Sequence, residues 1–402
     1  MKGTSVTIIE TAFPDEQAVA LFEAGLREMP QGRAEALAVV GVETEPLPPR
    51  RLRRAKKAYT TRFFARQTRD RASEGYSIVR GDGVVPQPGD LVLARVRVIG
   101  QHKRIESYNS RRRHLFAGDE IVVAYGHRYA PDQFLAEVPD NLDYTNLVAA
   151  GGMAGRVIHK HAEIDMATVI EPIGLIADDD GVINLRRVAP SRIRPWQEAR
   201  QEVESLAKQP RLVFVFGSSM NSGKSTTLGC LVNGLDRAGL VVHAGKATGT
   251  GAGNDSNLYN DAGADEVVDF TDFGLVSTFK LTFDEVKDLV FSTVAELAVR
   301  DEPDVILVEI ADGIYQGETS ALLHDADFKE LVDRVVFACG EALSAAAGSL
   351  LLDQAQLPLV AISGKLTSAP LISAEAAAVV DVPIVQTYDL CLPHVAREVA
   401  GV

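Results

Sequence analysis

An apolar run, Val213, Phe214, Val215 and Phe216, passes directly into Gly217-Ser218-Ser219-Met220-Asn221-Ser222-Gly223-Lys224-Ser225-Thr226 and from there into a stretch that favours a helix. A strand, a tight loop of small residues and a helix start, in that order, gather backbone N–H groups and a helix N-terminus around one point, as a bound phosphate requires. Lys224 is placed to reach β- and γ-phosphates and Ser225 to offer its hydroxyl to Mg²⁺, with Gly217, Asn221, Ser222, Gly223 and Thr226 completing the cradle. The usual loop has four residues between its two glycines. Here Ser218 takes the first glycine's place and Gly217 comes one residue earlier.

Beyond residue 205 strands and helices alternate. Apolar strands are expected at 212–216, 240–244, 305–310, 334–338, 358–362 and 383–386, and helices at 224–238, 282–300, 341–354 and 373–380. Strands so uniformly apolar are covered on both faces, which predicts a doubly wound parallel sheet. This segment, 205–402, is expected to be a P-loop nucleotide-binding domain.

The first half reads differently. Residues 5–9, 15–29 and 36–42 suggest a strand, an amphipathic helix and a strand, and 48–71 interleave ten Lys and Arg with Tyr59, Phe63 and Phe64. Together, 1–75 read as a small α/β unit plus a basic segment, of a kind that lies on nucleic acid or serves as a solvated helix. From 76 to 190 short apolar runs at 91–99, 120–125, 133–138, 155–158, 169–177 and 182–185, separated by Gly, Pro and Asp turns, predict a small, mostly antiparallel β-barrel or sandwich. Arg192–Trp196 is expected to be a hinge between the halves.

Charge follows the same division. Residues 1–200 carry 29 Lys and Arg against 26 Asp and Glu, whereas 201–402 carry 12 against 29. An acidic half that binds a polyanion does so through a local site, because its overall field repels the ligand. Positive charge from 50–71 or from Arg111, Arg112 and Arg113 is therefore expected to line the substrate's path, with the barrel packed over the sheet edge near 249–255. The apolar runs are too short for a membrane helix and the N-terminus has no basic-then-apolar leader pattern, so a cytoplasmic protein without membrane contact is expected. Cys230, Cys339 and Cys391 read as buried free thiols. His159 and His161 share a strand face without an evident third metal ligand.

Two further segments carry chemistry. The run Val305-Ile-Leu-Val-Glu309-Ile-Ala-Asp312-Gly313 ends a strand in two acids, of which Glu309 is placed to hold Mg²⁺ directly or through water. The strand expected at 240–244 runs into Gly245-Lys246-Ala247-Thr248-Gly249-Thr250-Gly251, with Asp255 close behind. There Lys246 is placed to neutralise a phosphate or a substrate carboxylate, and Asp255 to bind metal or orient a nucleophile.

Over about 105 residues, from Leu212 to Gly317, these motifs resemble the dethiobiotin-synthetase-like branch of P-loop enzymes. The resemblance implies ATP- and Mg²⁺-dependent phosphoryl transfer or ligation. It assigns Lys224 and Ser225 to the nucleotide, Lys246 and Thr248 to substrate or phosphate, and Glu309 to Mg²⁺. Lys246 is followed by Ala247 where that branch has proline, and Glu309 by Ile310 where it has glycine. The loop is also similar to that of polynucleotide kinases, which keeps nucleic acid as a second partner class. A loop at 363–367 lacks the Asn/Thr-Lys-x-Asp pattern used for guanine, which favours ATP over GTP.

The expected function is thus that of a kinase or ligase acting on a small anionic acceptor with Lys224, Lys246 and Asp255 in catalysis and Ser225, Glu309 and Asp255 on the metal. A homo-oligomer is expected. The alternative is a nucleotide-switched binding module.

Overall fold

In strands β1 (Leu91–Val98) and β2 (Glu120–Tyr125) successive side chains enter two separate cores. Leu91, Leu93, Val122 and Ala124 pack on one side, and Val92, Ala94, Val96, Ile121 and Val123 on the other. Burial on both faces explains why these segments read as apolar runs and not as alternation. Each buried aliphatic side chain contributes about 1.5–3 kcal/mol. A computed structural model of the chain describes residues 41–70 and 75–402. The elements expected at 5–9 and 15–29, and all but the last two residues of that at 36–42, lie outside the described residues.

Three more strands, β3 (Thr145–Ala149), β4 (Met153–Lys160) and β5 (Thr168–Asp178), complete a circuit of pairing. It runs β5–β1–β2–β4–β3 and back to β5, antiparallel throughout except for β2 with β4. Shorter strands extend this into an eleven-stranded, mostly antiparallel sheet. Leu52 and Phe64 cap one of its cores from two short helices, Pro49–Arg54 and Arg62–Asp70, where the sequence suggested one basic helix. Three of the cations of this segment are paired internally. Arg51 pairs with Glu120, Lys56 with Asp119 and Arg62 with Asp272.

The second half is a six-stranded parallel sheet. Its strands are β6 (Arg211–Gly217), β7 (Val242–Lys246), β8 (Glu266–Asp269), β9 (Val305–Glu309), β10 (Arg334–Ala338) and β11 (Leu359–Ser363), in the order β8-β7-β9-β6-β10-β11. Along β6, Leu212, Phe214 and Phe216 join the core on one face while Val213 and Val215 join that on the other, so helices cover both sides. The mixed α/β architecture with a doubly covered parallel sheet is the one the sequence predicts. The strand expected at 383–386 is not formed; a single bridge joins Ile362 to Ile384, and Pro383 has no N–H with which to extend it.

Residues 42–402 form one compact unit. Arg192–Trp196 is pinned in place: the Arg194 backbone N–H donates to Ser292 Oγ at 2.9 Å, that of Trp196 donates to Asp288 Oδ1 at 2.8 Å, and the Trp196 ring lies 5.6 Å from that of Phe291. The β-rich half rests on the loop after β7. The backbone of Gly151 lies so close to Gly251 that a Cβ on the former would overlap the latter's carbonyl oxygen. Beside that contact, the Gly253 N–H donates to Glu106 Oε2 at 3.1 Å. Lys280 pairs with Glu137 at 2.6 Å further along the same border.

Candidate functional site

The phosphate loop leaves the C-terminal end of β6, and the helix Lys224–Asp236 begins directly after it. Gly223, at φ +99°, turns the chain into that helix. Gly217 is the last residue of β6, and a Cβ there would lie 2.7 Å from Lys224 Cγ. That contact is a physical reason for glycine at 217, while the Ser218 N–H donates to the Ala338 carbonyl at 3.0 Å. Asn221, at φ +60°, crowns the loop and donates its side-chain amide to Asp132 of the β-rich half. Ser222 is buried with its hydroxyl unpartnered, and its carbonyl accepts from the Lys365 N–H at 2.9 Å. Thr226 lies on the cavity wall beside Ser225.

Lys224 is buried. Its Nζ donates to the carbonyls of Ser219, at 2.9 Å, and Asp312. Burial lowers its pKa, against the raising effect of Glu309 and Asp312. Carbonyl oxygens are weak partners for an ammonium compared with phosphate.

Glu309 ends β9 beside the phosphate strand, in register with Val215 on one side and Lys246 on the other. It is 1% exposed, and its two oxygens meet Tyr259, which donates its hydroxyl, and Lys246 Nζ at 3.6 Å. Lys246 also pairs with Asp255. Burial alone would lower the lysine's pKa, but Asp255 and then Glu309 outweigh it and raise it well above its ordinary value. Burial raises the Asp255 carboxyl; Lys246 overrides it, with a hydrogen bond from Ser225 helping, and the net shift is downward. Ser225, Lys246, Asp255, Tyr259 and Glu309 thus form one contiguous group. Tyr259 is the member the sequence reading missed, although it follows Asp255 by one helical turn on Asn254–Ala262 and so shares its face.

Thr248, assigned to substrate or phosphate by the resemblance, serves the backbone. It is 2% exposed, and its hydroxyl donates to the Ala311 carbonyl at 2.6 Å and accepts from the Ala311 N–H at 2.8 Å.

A cavity of about 970 Å³ joins the two halves. One wall carries Asn221, Lys224, Ser225, Lys246, Asp255 and Glu309; the other carries Arg104, Arg112, His114 and Arg128. Of the arginine trio only Arg112 lines it. Arg104 and Arg128, which the sequence reading did not select, line it as well. Among the described residues no group of three or more His, Cys, Asp or Glu is gathered as a metal site. Cys230 and Cys339 are buried free thiols, while Cys391 is half-buried, not fully buried as expected, and lies beside Cys230. No described helix is long and apolar enough to cross a membrane.

No protein-family model matches the chain, and no curated protein matches it in sequence. Among solved structures it is similar to the signal recognition particle receptor FtsY from Elizabethkingia anophelis, at 15% identity and a TM-score of 0.34, over 55% of this chain and 76% of that one. The 54 kDa signal recognition particle protein from Aeropyrum pernix K1, solved with GDP, matches at 20% identity and a TM-score of 0.33, over 54% of this chain and 50% of that one. The hydrogenase maturation factor HypB from Archaeoglobus fulgidus matches at 13% identity and a TM-score of 0.30, over 48% of this chain and 87% of that one.

Proposed function

We propose that the chain is a Mg²⁺-dependent P-loop enzyme that binds ATP and transfers its terminal phosphoryl group to a small anionic acceptor, as a kinase or as the activating half of a ligase. The observation that carries this reading is the shared cavity, which sets the phosphate loop against Arg104, Arg112 and His114. Its 970 Å³ stands at the upper end of the range for small-molecule sites, with space for a second ligand beside the nucleotide.

The residues fit a hard divalent cation. Ser225, Asp255 and Glu309 are oxygen donors of the kind such a cation takes, and Lys246, which pairs with both carboxylates, would have to yield them to it. Mg²⁺ held by these residues would neutralise charge on the β- and γ-phosphates. Lys224 would exchange its two carbonyl partners for phosphate oxygens. An acceptor oxygen bonds to the terminal phosphorus as the bond to the bridging oxygen breaks, and the diphosphate leaves with that electron pair. Catalysis is then positioning and charge neutralisation. Arg51, Lys56 and Arg62 of the basic segment are committed to internal carboxylates and so withdrawn from any nucleic acid. ATP is favoured over GTP on the composition of 363–367 alone.

Titrating ATP and GTP with Mg²⁺ into the protein, and then screening acceptor pools for ADP release, tests the proposal. It expects ATP binding and acceptor-stimulated release, the first weakened and the second lost in Lys224→Ala. A protein that binds neither nucleotide overturns it. Binding without acceptor-dependent release, together with nucleotide-dependent capture of a protein partner, would move the chain to the switch class.

A further inference from the structure

A cation from the β-rich half faces the phosphate loop and lacks the partners its burial calls for. Arg128 lies on the short strand Arg128–Tyr129, is 4% exposed, and lines the cavity together with Asn221, Lys224 and Asp312. Its Nη2 donates to Gln133 Oε1 at 2.9 Å. Nε and Nη1 have no hydrogen-bond partner. The neighbouring Asp132 does not supply one, since its Oδ2 accepts from Asn221 and its Oδ1 is itself unpartnered. Burial brings the guanidinium down to about 10, with Asp132 and Asp312 acting to raise it, so it is still cationic at neutral pH.

A buried guanidinium with most of its donors unmet is a net cost to folding. Such a cost is retained where a ligand repays it, and the geometry indicates which ligand. Arg128 lines a cavity that Asn221, Ser222, Gly223, Lys224 and Ser225 of the phosphate loop line as well. A planar guanidinium fork matches two oxygens of a phosphate at once.

We propose that Arg128 is a phosphate-binding residue supplied by the β-rich half, whose under-partnered guanidinium takes oxygens of the nucleotide's terminal phosphate and of the phosphoryl group in transfer. This rests on the nucleotide reading above. Arg128 forms no covalent bond; it offsets charge on the terminal phosphate while Lys224 holds the phosphates from the loop side. It also gives the β-rich half a part in the chemistry, because the cation comes from an element that a bare P-loop domain lacks.

The test compares the full-length wild type with Arg128→Met and Arg128→Lys, using ATP, ADP, and ADP with aluminium fluoride, each with Mg²⁺. Arg128→Met is expected to bind ADP within about twofold of wild type. It should lose roughly tenfold or more in affinity for ATP and for the fluoride complex. Arg128→Lys should fail to restore either, because an ammonium lacks the fork. Without nucleotide, Arg128→Met should melt no lower than wild type, since it removes an unpaired buried charge. A lower melting temperature with equal effects on ATP and ADP would make Arg128 a structural partner of Asp132 and overturn the inference. Wild-type affinities in Arg128→Met would overturn it and leave the nucleotide reading standing, whereas a wild type that binds no nucleotide sinks both.

Discussion

Lys246 and Glu309 stand opposite each other on adjacent parallel strands, with Nζ of the first 3.6 Å from Oε1 of the second. The lysine is the shared countercharge for Glu309 and Asp255, and its removal strands two carboxylates in a dry place. Lys246→Met is therefore expected to cost about 3–5 kcal/mol in denaturant unfolding. Adding Asp255→Asn to it should recover part of that loss. Equal stability of Lys246→Met and wild type would show that the carboxylates are solvated.

Lys224 differs, because its Nζ partners are the neutral carbonyls of Ser219 and Asp312. Lys224→Ala should melt within a few degrees of wild type while ATP affinity, measured calorimetrically with Mg²⁺, falls by about 10–100-fold. A collapse of the fold would reassign Lys224 to a structural role.

Asp269 gives the protein a pH dependence. Burial pushes its carboxyl up to about 6, with Asp272 adding to the rise and Arg62 opposing it. The folded state therefore holds this proton more tightly than the unfolded chain. The resulting stability is full below about pH 4 and is lost as pH rises through 6, up to about 3 kcal/mol. Glu106 and Asp312, whose carboxyls burial also raises, add a slope of the same sign. Unfolding free energies from pH 4 to 7 should fall less steeply in Asp269→Asn; identical slopes would remove Asp269 as the source.

Arg104 and Arg112 line the cavity, and Arg111 and Arg113 do not. Replacing the first pair with Ser should raise KM for an anionic acceptor several-fold, more at low salt where exposed charges are less screened. ATP affinity should stay nearly constant. The same change at Arg111 and Arg113 serves as the control, and an equal effect there would point to the general field of the half and not to the cavity.

What was legible in the sequence is what the chain writes locally. The loop through Thr226 and the acid ending β9 are strings of consecutive residues, and uniform apolarity marks the strands between which they lie. Arg128 and Asp132 had no such mark. Their position follows from the pairing of Arg128–Tyr129 with Phe134–Glu137 and of that segment with β4, a register that single-strand patterns do not encode. The strand Thr145–Ala149 is short and begins with two polar residues, and the hairpin Arg104–Glu106 with Arg112–His114 is half exposed and mostly charged. Neither shows the period on which strand reading depends.

The bare backbone contact at Gly151 and Gly251 carries a mechanical consequence. Side chains between two bodies act as springs, taking up small displacements by changing rotamer. Here nothing is interposed, so peptide presses on peptide. A shift of the glycine-rich loop at this point would meet the backbone of the β-rich half with no side chain between to absorb it. A single methyl group at position 151 would force the two backbones apart.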